Sequence, residues 1–220
     1  MRLLILRPEP GASETAARAL DMGLEPVVAP LFEIRGLDPG AVDPDGFDSV
    51  LLTSANGARH APAGLARLTC FAVGEATATA ARERGFAEVR TGPSDGAAAA
   101  AAMAAAGARR ALHPCGRDHV AVAAPGVAIE PLVVYAAVPL DHGPFAGPAV
   151  AMIHSPRAGR RFADLAADRA SIAVAAISAA AAAAAGEGWA ARAVAAAPRD
   201  DALLELAAKL CNHGFDATRE

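Results

Sequence analysis

Small polar residues stand directly after several apolar, strand-like segments of this 220-residue chain. In an open parallel α/β sheet, ligands bind beyond the carboxyl ends of the strands. A helix that begins there offers unpaired N–H groups and a partial positive charge, which suit a ligand carrying several carboxylates or phosphates. The candidate binding residues at or just after such strand ends are Thr53, Ser54, Ala55, Asn56, Gly74, Thr77, Ser155 and Ser178.

Three longer side chains add more specific chemistry. Tyr135, the only tyrosine, lies in the apolar segment 129–139 and is a candidate hydrogen-bond donor or general acid. Arg7 and Arg157 follow strand-like segments and are candidates for neutralising carboxylates. Each candidate also has a structural interpretation, in which the hydroxyls cap helices, the tyrosine lies on the surface and the arginines form surface ion pairs. Residue type and position alone leave both interpretations open.

Composition and spacing argue against several classes of partner. The net charge of -4 and the mixed charges disfavour nucleic-acid binding, which needs a basic face. The three cysteines are isolated, and His113, His119 and His154 have no ligand spacing, so we expect no metal site. The cysteine pattern favours a reducing, cytoplasmic location. Because the longest apolar run is short and mostly alanine, we expect no membrane span.

These candidates require a frame of alternating strands and helices. Strand-like residues 3–6 and 27–28 flank a helical segment after Ser13, a β-α-β opening that is typical of parallel sheets. The alternation continues to a final helix that we expect to end near Leu210. Between two strand-like segments, residues 116–126 are expected to form a short helix. The predicted fold class is α/β with parallel sheets.

Two apolar segments bounded by prolines, residues 29–36 and 130–139, divide the chain. We predict a discontinuous first α/β domain, residues 1–35 and 139–220, with a second α/β domain, residues 36–138, inserted into it. The two segments are expected to pair as a two-stranded β-ladder that joins the domains, and the active cleft is expected to open beside them. The arrangement predicts two crossings of the chain between domains.

The order of elements repeats at offsets of about one hundred residues. Residues 50–54 correspond to residues 152–155, residues 71–74 to residues 175–178, and residues 91–95 to residues 197–200. The identity is weak, but the spacing is consistent, and it predicts that the two α/β domains are similar.

Several short motifs, taken in order, resemble those of the uroporphyrinogen-III synthase family. They are Leu6-Arg7-Pro8, Leu51-Leu52-Thr53-Ser54-Ala55-Asn56, Ala72-Val73-Gly74-Glu75-Ala76-Thr77-Ala78, Gly92-Pro93, Val134-Tyr135 and Ile153-His154-Ser155-Pro156-Arg157-Ala158. Each motif is short, but together they cover nearly the full chain. The resemblance implies two α/β domains joined by a β-ladder.

The resemblance also implies a cyclising lyase that closes linear hydroxymethylbilane to uroporphyrinogen III, with loss of water and inversion of ring D, and without a metal or organic cofactor. Tyr135 matches the family's candidate proton donor to the leaving hydroxyl. Thr53, Ser54, Thr77 and Ser155 match positions that line the family's cleft. Two positions depart from the family pattern: Ser178 stands where a glycine usually follows the isoleucine, and Arg117 lies in a shortened segment, which leaves its contact with substrate open.

Two other function classes are compatible with parts of the pattern. A non-enzymatic two-lobed module that binds an anionic small molecule would also combine two α/β lobes with two crossings. A nucleotide-dependent transferase is disfavoured because the sequence has no phosphate-binding or methyl-donor loop. For the enzyme as for these alternatives, we expect the protein to be a monomer.

Overall fold

The structure of the protein is a computed structural model that describes residues 1–92 and 95–213. Pro93 and Ser94, which belong to one of the family-like motifs, lie outside the described residues, as do the residues after His213. The chain separates into two compact units. Unit 1 contains Met1–Glu33 and the described chain from Pro139 onward, and unit 2 contains Ile34–Val138.

The described residues contain eleven strands and seven α-helices. The strands are β1 (Arg2–Ile5), β2 (Glu25–Val28), β3 (Phe32–Gly36), β4 (Ser49–Leu52), β5 (Thr69–Val73), β6 (Val89–Gly92), β7 (Arg110–Gly116), β8 (Ala128–Pro139), β9 (Ala149–Ile153), β10 (Ile172–Ala176) and β11 (Ala191–Val194). The helices are α1 (Gly11–Asp21), α2 (Ala55–His60), α3 (Gly74–Arg84), α4 (Gly96–Ala105), α5 (Pro156–Leu165), α6 (Ala179–Ala185) and α7 (Asp200–His213).

Two sheets carry these strands. One has the order β11-β10-β9-β1-β2 and the other has the order β3-β8-β7-β4-β5-β6. Strands β1, β2 and β9–β11 pair in parallel, as do β4–β8. The predicted α/β class with parallel sheets is confirmed. No helix among the described residues is both long and apolar enough to cross a membrane.

Strand β3 is the exception to the parallel pairing. The N–H of Leu37 donates to the Val134 carbonyl at 2.8 Å, and the N–H of Leu140 donates to the Leu31 carbonyl at 3.0 Å. Residue numbers on β3 therefore rise as those on β8 fall, so these two strands run antiparallel.

Alternation along the strands explains why helices cover both faces of the unit 2 sheet. Val50 and Leu52 pack in one buried cluster with the residues of α2 and α3, whereas Leu51 packs in another with α4. All three side chains are fully buried. A strand buried on both faces reads as a continuous apolar run, as residues 50–52 do.

Alanine-rich helices allow unusually close packing in unit 1. Gly159 on α5 approaches α6 so closely that a Cβ atom would lie 2.8 Å from the Ala181 carbonyl oxygen. On α6, Ala181 and Ala185 are fully buried. The alanine run is thus a packed helix with a core role, as its high helix propensity predicts.

Three local expectations about helices are wrong. Residues 116–126 form no helix, because β7 extends to Gly116 and the segment then turns at Pro125 and Gly126, whose φ is +77°. Ser13 does not precede α1, which begins at Gly11; instead Glu9 accepts hydrogen bonds from the Ser13 N–H and hydroxyl, at 2.9 and 2.8 Å. The final helix also continues past Leu210 to His213.

Candidate functional site

A cavity of about 420 Å³ lies within unit 2, where β4 and β7 end. Its wall combines hydroxyl groups, an imidazole, the start of α4 and the loop that follows β7. The lining residues are Thr53, Ser54, Gly96, Ala97, Cys115, Gly116, His119, Val120, Ala121, Val122, Ala123 and Tyr135. This position, at the carboxyl ends of parallel strands, is where open α/β sheets bind their ligands.

Tyr135 lies on β8 and is one of the residues that line this cavity. Its Oη atom is 3.2 Å from Oγ of Ser54. Ser54 is also the N-cap of α2, and its Oγ accepts the N–H of Gly57 at 3.0 Å. The serine therefore caps the helix and contacts the phenol at once. The capping interpretation is observed, and its role in binding a substrate stays a prediction.

The tyrosine ring needs a glycine beneath it. The register between β7 and β8 shifts at Cys115 and Gly116, which places Gly116 opposite Tyr135. A Cβ atom on Gly116 would lie 2.7 Å from Cζ and 3.0 Å from Oη of the tyrosine. The irregularity and the glycine together leave room for the ring against the backbone.

Replacing Gly116 by alanine is expected to displace the Tyr135 ring, because no real Cβ contact is as short as 2.7 Å. We expect the contact between Tyr135 and Ser54 to lengthen and the free energy of unfolding to fall by about 1–3 kcal/mol. Urea denaturation measures the loss of stability. Gly64→Ala is the matched control, since nothing lies within 4 Å of its Cβ position. Equal free energies of unfolding in the two variants would contradict this role for Gly116.

Thr53 is held by a histidine from the neighbouring strand. The Oγ1 atom of Thr53 is 2.9 Å from Nε2 of His113 on β7, whose side chain is buried. Burial, together with the charge of His119, lowers the pKa of His113 to about 4, so its ring is neutral at pH 7. The His119 ring lies edge-on to the His113 ring, at 5.9 Å between centroids, and its Nδ1 is 3.1 Å from the Gly116 carbonyl oxygen.

The remaining predicted residues of unit 2 lie outside the cavity lining. Ala55 and Asn56 form the first turn of α2, where the Asn56 amide oxygen accepts a hydrogen bond from Arg59 at 3.2 Å. Gly74 begins α3 with a φ of +72°, and Thr77 is buried in that helix, 5% exposed. Arg117 donates its backbone N–H to the Tyr135 carbonyl at 2.9 Å.

In unit 1, the predicted serines cap helices. Ser155 accepts the N–H of Ala158 at 3.1 Å at the start of α5, and Ser178 accepts the N–H of Ala181 at 3.2 Å at the start of α6. The guanidinium of Arg157 lies over the Phe32 ring, 4.6 Å from its centroid.

Arg7 pairs with a protein carboxylate, that of Asp200 in the first turn of α7. Its Nη1 is 3.0 Å from Oδ1, and the same carboxylate accepts from His154 Nε2 at 2.6 Å, from Thr15 Oγ1 at 2.8 Å and from Arg18. Burial alone would raise the pKa of Asp200, but His154, Arg7 and Thr15 outweigh it and hold that pKa well below its usual range. Asp200 is therefore an ionised centre that ties α1, α7 and the end of β9 together.

Residues 113–118 follow the strand-like segment 110–112, so the sequence places them at a strand end where a ligand is expected. Sequence reasoning singled out neither His113 nor Gly116 within that range, and it assigned no role to His119 or to the Asp200 cluster of unit 1. The Asp200 cluster joins residues 185 positions apart, and no local pattern marks such a contact. Among the described residues, no group of three or more His, Cys, Asp or Glu side chains is placed to hold a metal ion.

The fold and the cavity define a class: an α/β protein with parallel sheets and a cavity, lined by hydroxyl groups and a helix start, at the carboxyl ends of its strands. Comparison with protein families then identifies the family. The model of HEM4, uroporphyrinogen-III synthase HemD, matches residues 13–205. The chain belongs to the uroporphyrinogen-III synthase family, cyclising lyases of haem biosynthesis. The resemblance seen in the motifs is thereby confirmed.

Solved structures of this family share the fold. Uroporphyrinogen-III synthetase from Helicobacter pylori is 16% identical, with a TM-score of 0.64 over 96% of this chain and 100% of that chain. A mutant uroporphyrinogen III synthase from the extremely thermophilic bacterium Thermus thermophilus is 14% identical, with a TM-score of 0.53 over 97% of this chain and 100% of that chain. Comparison with curated proteins gives no match.

Proposed function

We propose that this protein converts hydroxymethylbilane to uroporphyrinogen III, closing the linear tetrapyrrole with inversion of ring D and loss of water. Membership of the family supports the reaction class. The observation that carries the assignment to this site is the Tyr135 hydroxyl, 3.2 Å from Ser54 in a cavity at the strand ends. Family membership also favours an enzyme over the non-enzymatic two-lobed module.

In the proposed reaction, the hydroxyl of the substrate leaves first, and an electrophilic azafulvene forms. Tyr135 donates a hydrogen bond to the departing oxygen. Because a phenol is a weak acid, the tyrosine would assist this departure by a hydrogen bond without full proton transfer. The substituted carbon of ring D then attacks, giving a spiro intermediate that opens and recloses with that ring inverted and with loss of a proton.

Positioning is the main contribution expected of the protein. Without the enzyme the bilane closes with ring D uninverted, so the substrate must be folded before closure. Its eight carboxylates suit hydroxyl groups and backbone N–H groups at helix starts. We propose that Thr53, Ser54, Ala55, Asn56, Gly74, Thr77, Ser155, Arg157 and Ser178 contribute to this binding.

The contacts of Thr77, Arg7 and Ser178 limit the role that each could have in substrate binding. Because Thr77 is buried, its contribution would be to hold α3 rather than to touch a carboxylate. Arg7, whose guanidinium pairs with Asp200 and lies against Gly11 at the start of α1, would act by fixing that cluster. For Ser178, the hydroxyl already caps α6, so the helix start itself would bind the substrate.

We propose further that the fold comprises two similar α/β domains, residues 1–35 with 139–220 and residues 36–138, the second inserted into the first. The two compact units support these limits, since they part between Glu33 and Ile34 and between Val138 and Pro139. The antiparallel hydrogen bonds between residues 31–37 and 134–140 support a two-stranded ladder made by the connectors 29–36 and 130–139.

The predicted setting of the enzyme is that of a cytoplasmic monomer without a nucleic-acid partner, a metal or an organic cofactor. The mild negative net charge supports the absence of nucleic-acid binding. Light scattering of the purified protein tests the monomer, and activity after dialysis against a chelator tests the metal.

The test of the proposed function is to incubate the purified protein with hydroxymethylbilane and to separate the uroporphyrinogen isomers. We expect isomer III in excess, because the site holds ring D for attack through its substituted carbon. Heat-denatured protein is the control and should yield isomer I only. Isomer I alone from the native protein would overturn the proposal.

A further inference from the structure

We propose that His113 is a positioning residue, which fixes the Thr53 hydroxyl toward the substrate through the hydrogen bond at its Nε2 atom. The inference rests on the proposed function, because it assigns a role to a residue behind the cavity wall. His113 itself is not among the residues that line the cavity. Its influence on a ligand must pass through Thr53, which does line it.

The threonine side chain is held through its hydroxyl group. Its Oγ1 atom is 2.9 Å from Nε2 of His113. A threonine has few favoured χ1 rotamers, so this hydrogen bond favours the rotamer that makes it. A hydroxyl group has one donor and two acceptor lone pairs, so Oγ1 keeps hydrogen-bonding capacity for a ligand in the cavity that Thr53 lines.

A buried imidazole is costly unless its polar atoms have partners, and this one is only 2% exposed. Because burial and His119 keep the ring neutral at pH 7, it places no charge behind Thr53. What the imidazole supplies is a hydrogen bond of fixed direction to a hydroxyl group that would otherwise rotate.

The experiment compares two amides at position 113. In His113→Gln the side-chain amide reaches about as far as Nε2, whereas in His113→Asn it is too short to reach Thr53. We expect His113→Gln to keep kcat/KM for hydroxymethylbilane within about twofold of the native value, and His113→Asn to lose about tenfold, mainly through KM.

Thr53→Val closes the double-mutant cycle. Alone, Thr53→Val is expected to lower kcat/KM about tenfold. In its presence, the Gln and Asn variants at position 113 should have the same kcat/KM, because the partner hydroxyl is gone. Equal activity of the two amides in the native background, or losses that simply multiply in the double variants, would overturn the role of His113. Absence of isomer III from the native enzyme would instead overturn the proposed function.

A readout that leaves His113 in place covers the case in which neither amide variant folds. The ¹⁵N shift of the His113 Nε2 nitrogen should change on Thr53→Val, because a hydrogen bond to that atom is lost. The Nε2 signal of His119, whose Nδ1 contacts the Gly116 carbonyl, is the internal reference. An unchanged ¹⁵N shift of His113 Nε2 would show that its hydrogen bond to Thr53 is absent, and it would overturn the inference.

Discussion

Replacing Tyr135 by phenylalanine will lower kcat about a hundredfold and leave KM within about twofold of the native value. The phenol acts only when the substrate hydroxyl departs. Its removal therefore destabilises the transition state and leaves substrate binding nearly unchanged. Phenylalanine fills the space over Gly116 and keeps the ring 6.1 Å from that of His60. Steady-state kinetics on hydroxymethylbilane, with separation of the isomers, measure the effect.

The partner of the phenol provides the control for this substitution. Ser54→Ala removes the contact with Oη but leaves the tyrosine hydroxyl in place. Its loss as N-cap of α2 should lower the free energy of unfolding by about 1 kcal/mol, while kcat falls less than in Tyr135→Phe. A Tyr135→Phe enzyme with native kcat would reject the tyrosine as donor, whatever Ser54→Ala does.

The second large effect is on stability and lies in unit 1. Asp200→Asn should lower the free energy of unfolding by about 3 kcal/mol at pH 7, because Arg7, Arg18 and His154 lose the carboxylate that they share. Urea denaturation monitored by circular dichroism measures the change. Asp201→Asn is the matched control: this neighbour is more than half exposed and pairs with Arg199, so its replacement should cost less than about 1 kcal/mol.

The same carboxylate predicts how stability depends on pH. The pKa of Asp200 is lower in the folded protein than in the unfolded chain, because His154, Arg7 and Thr15 favour its charged form. Its stabilisation is therefore complete above the unfolded pKa of about 4 and is lost as the pH falls below that value. The difference between the native protein and Asp200→Asn should shrink on acidification. A constant difference between neutral pH and a pH of about 2.5 would contradict this assignment.

The fold was predictable because its signals are local. Residues 50–52 form an apolar run bounded by polar residues, and with Ser49 they form β4, all four residues of which are buried. The serines at 54, 155 and 178 precede helical segments and cap α2, α5 and α6. A strand followed by a hydroxyl residue and a helix can thus be predicted from the local sequence, without knowledge of the rest of the chain.

The site was predictable only in part because its contacts are not local. Tyr135 was singled out as the lone tyrosine, but its contact with Ser54 crosses 81 positions. The role of Gly116 depends on a register shift between β7 and β8, and no residue pattern specifies where such a shift falls. Arg7 follows β1 as predicted, yet pairing with Asp200 depends on how α7 packs, which residue type alone does not determine.

The strand orders of the two sheets correspond in space but not along the chain. Reading β11-β10-β9-β1-β2 against β6-β5-β4-β7-β8 matches every strand of the first sheet to a strand of the second. Along the chain, however, β9–β11 follow their counterparts while β1 and β2 precede theirs. The two strand orders are thus related by a cyclic permutation. A linear comparison therefore detects the offset of about one hundred residues for only three of the five strand pairs, and an alignment of the halves must wrap past the end of the chain to recover the other two.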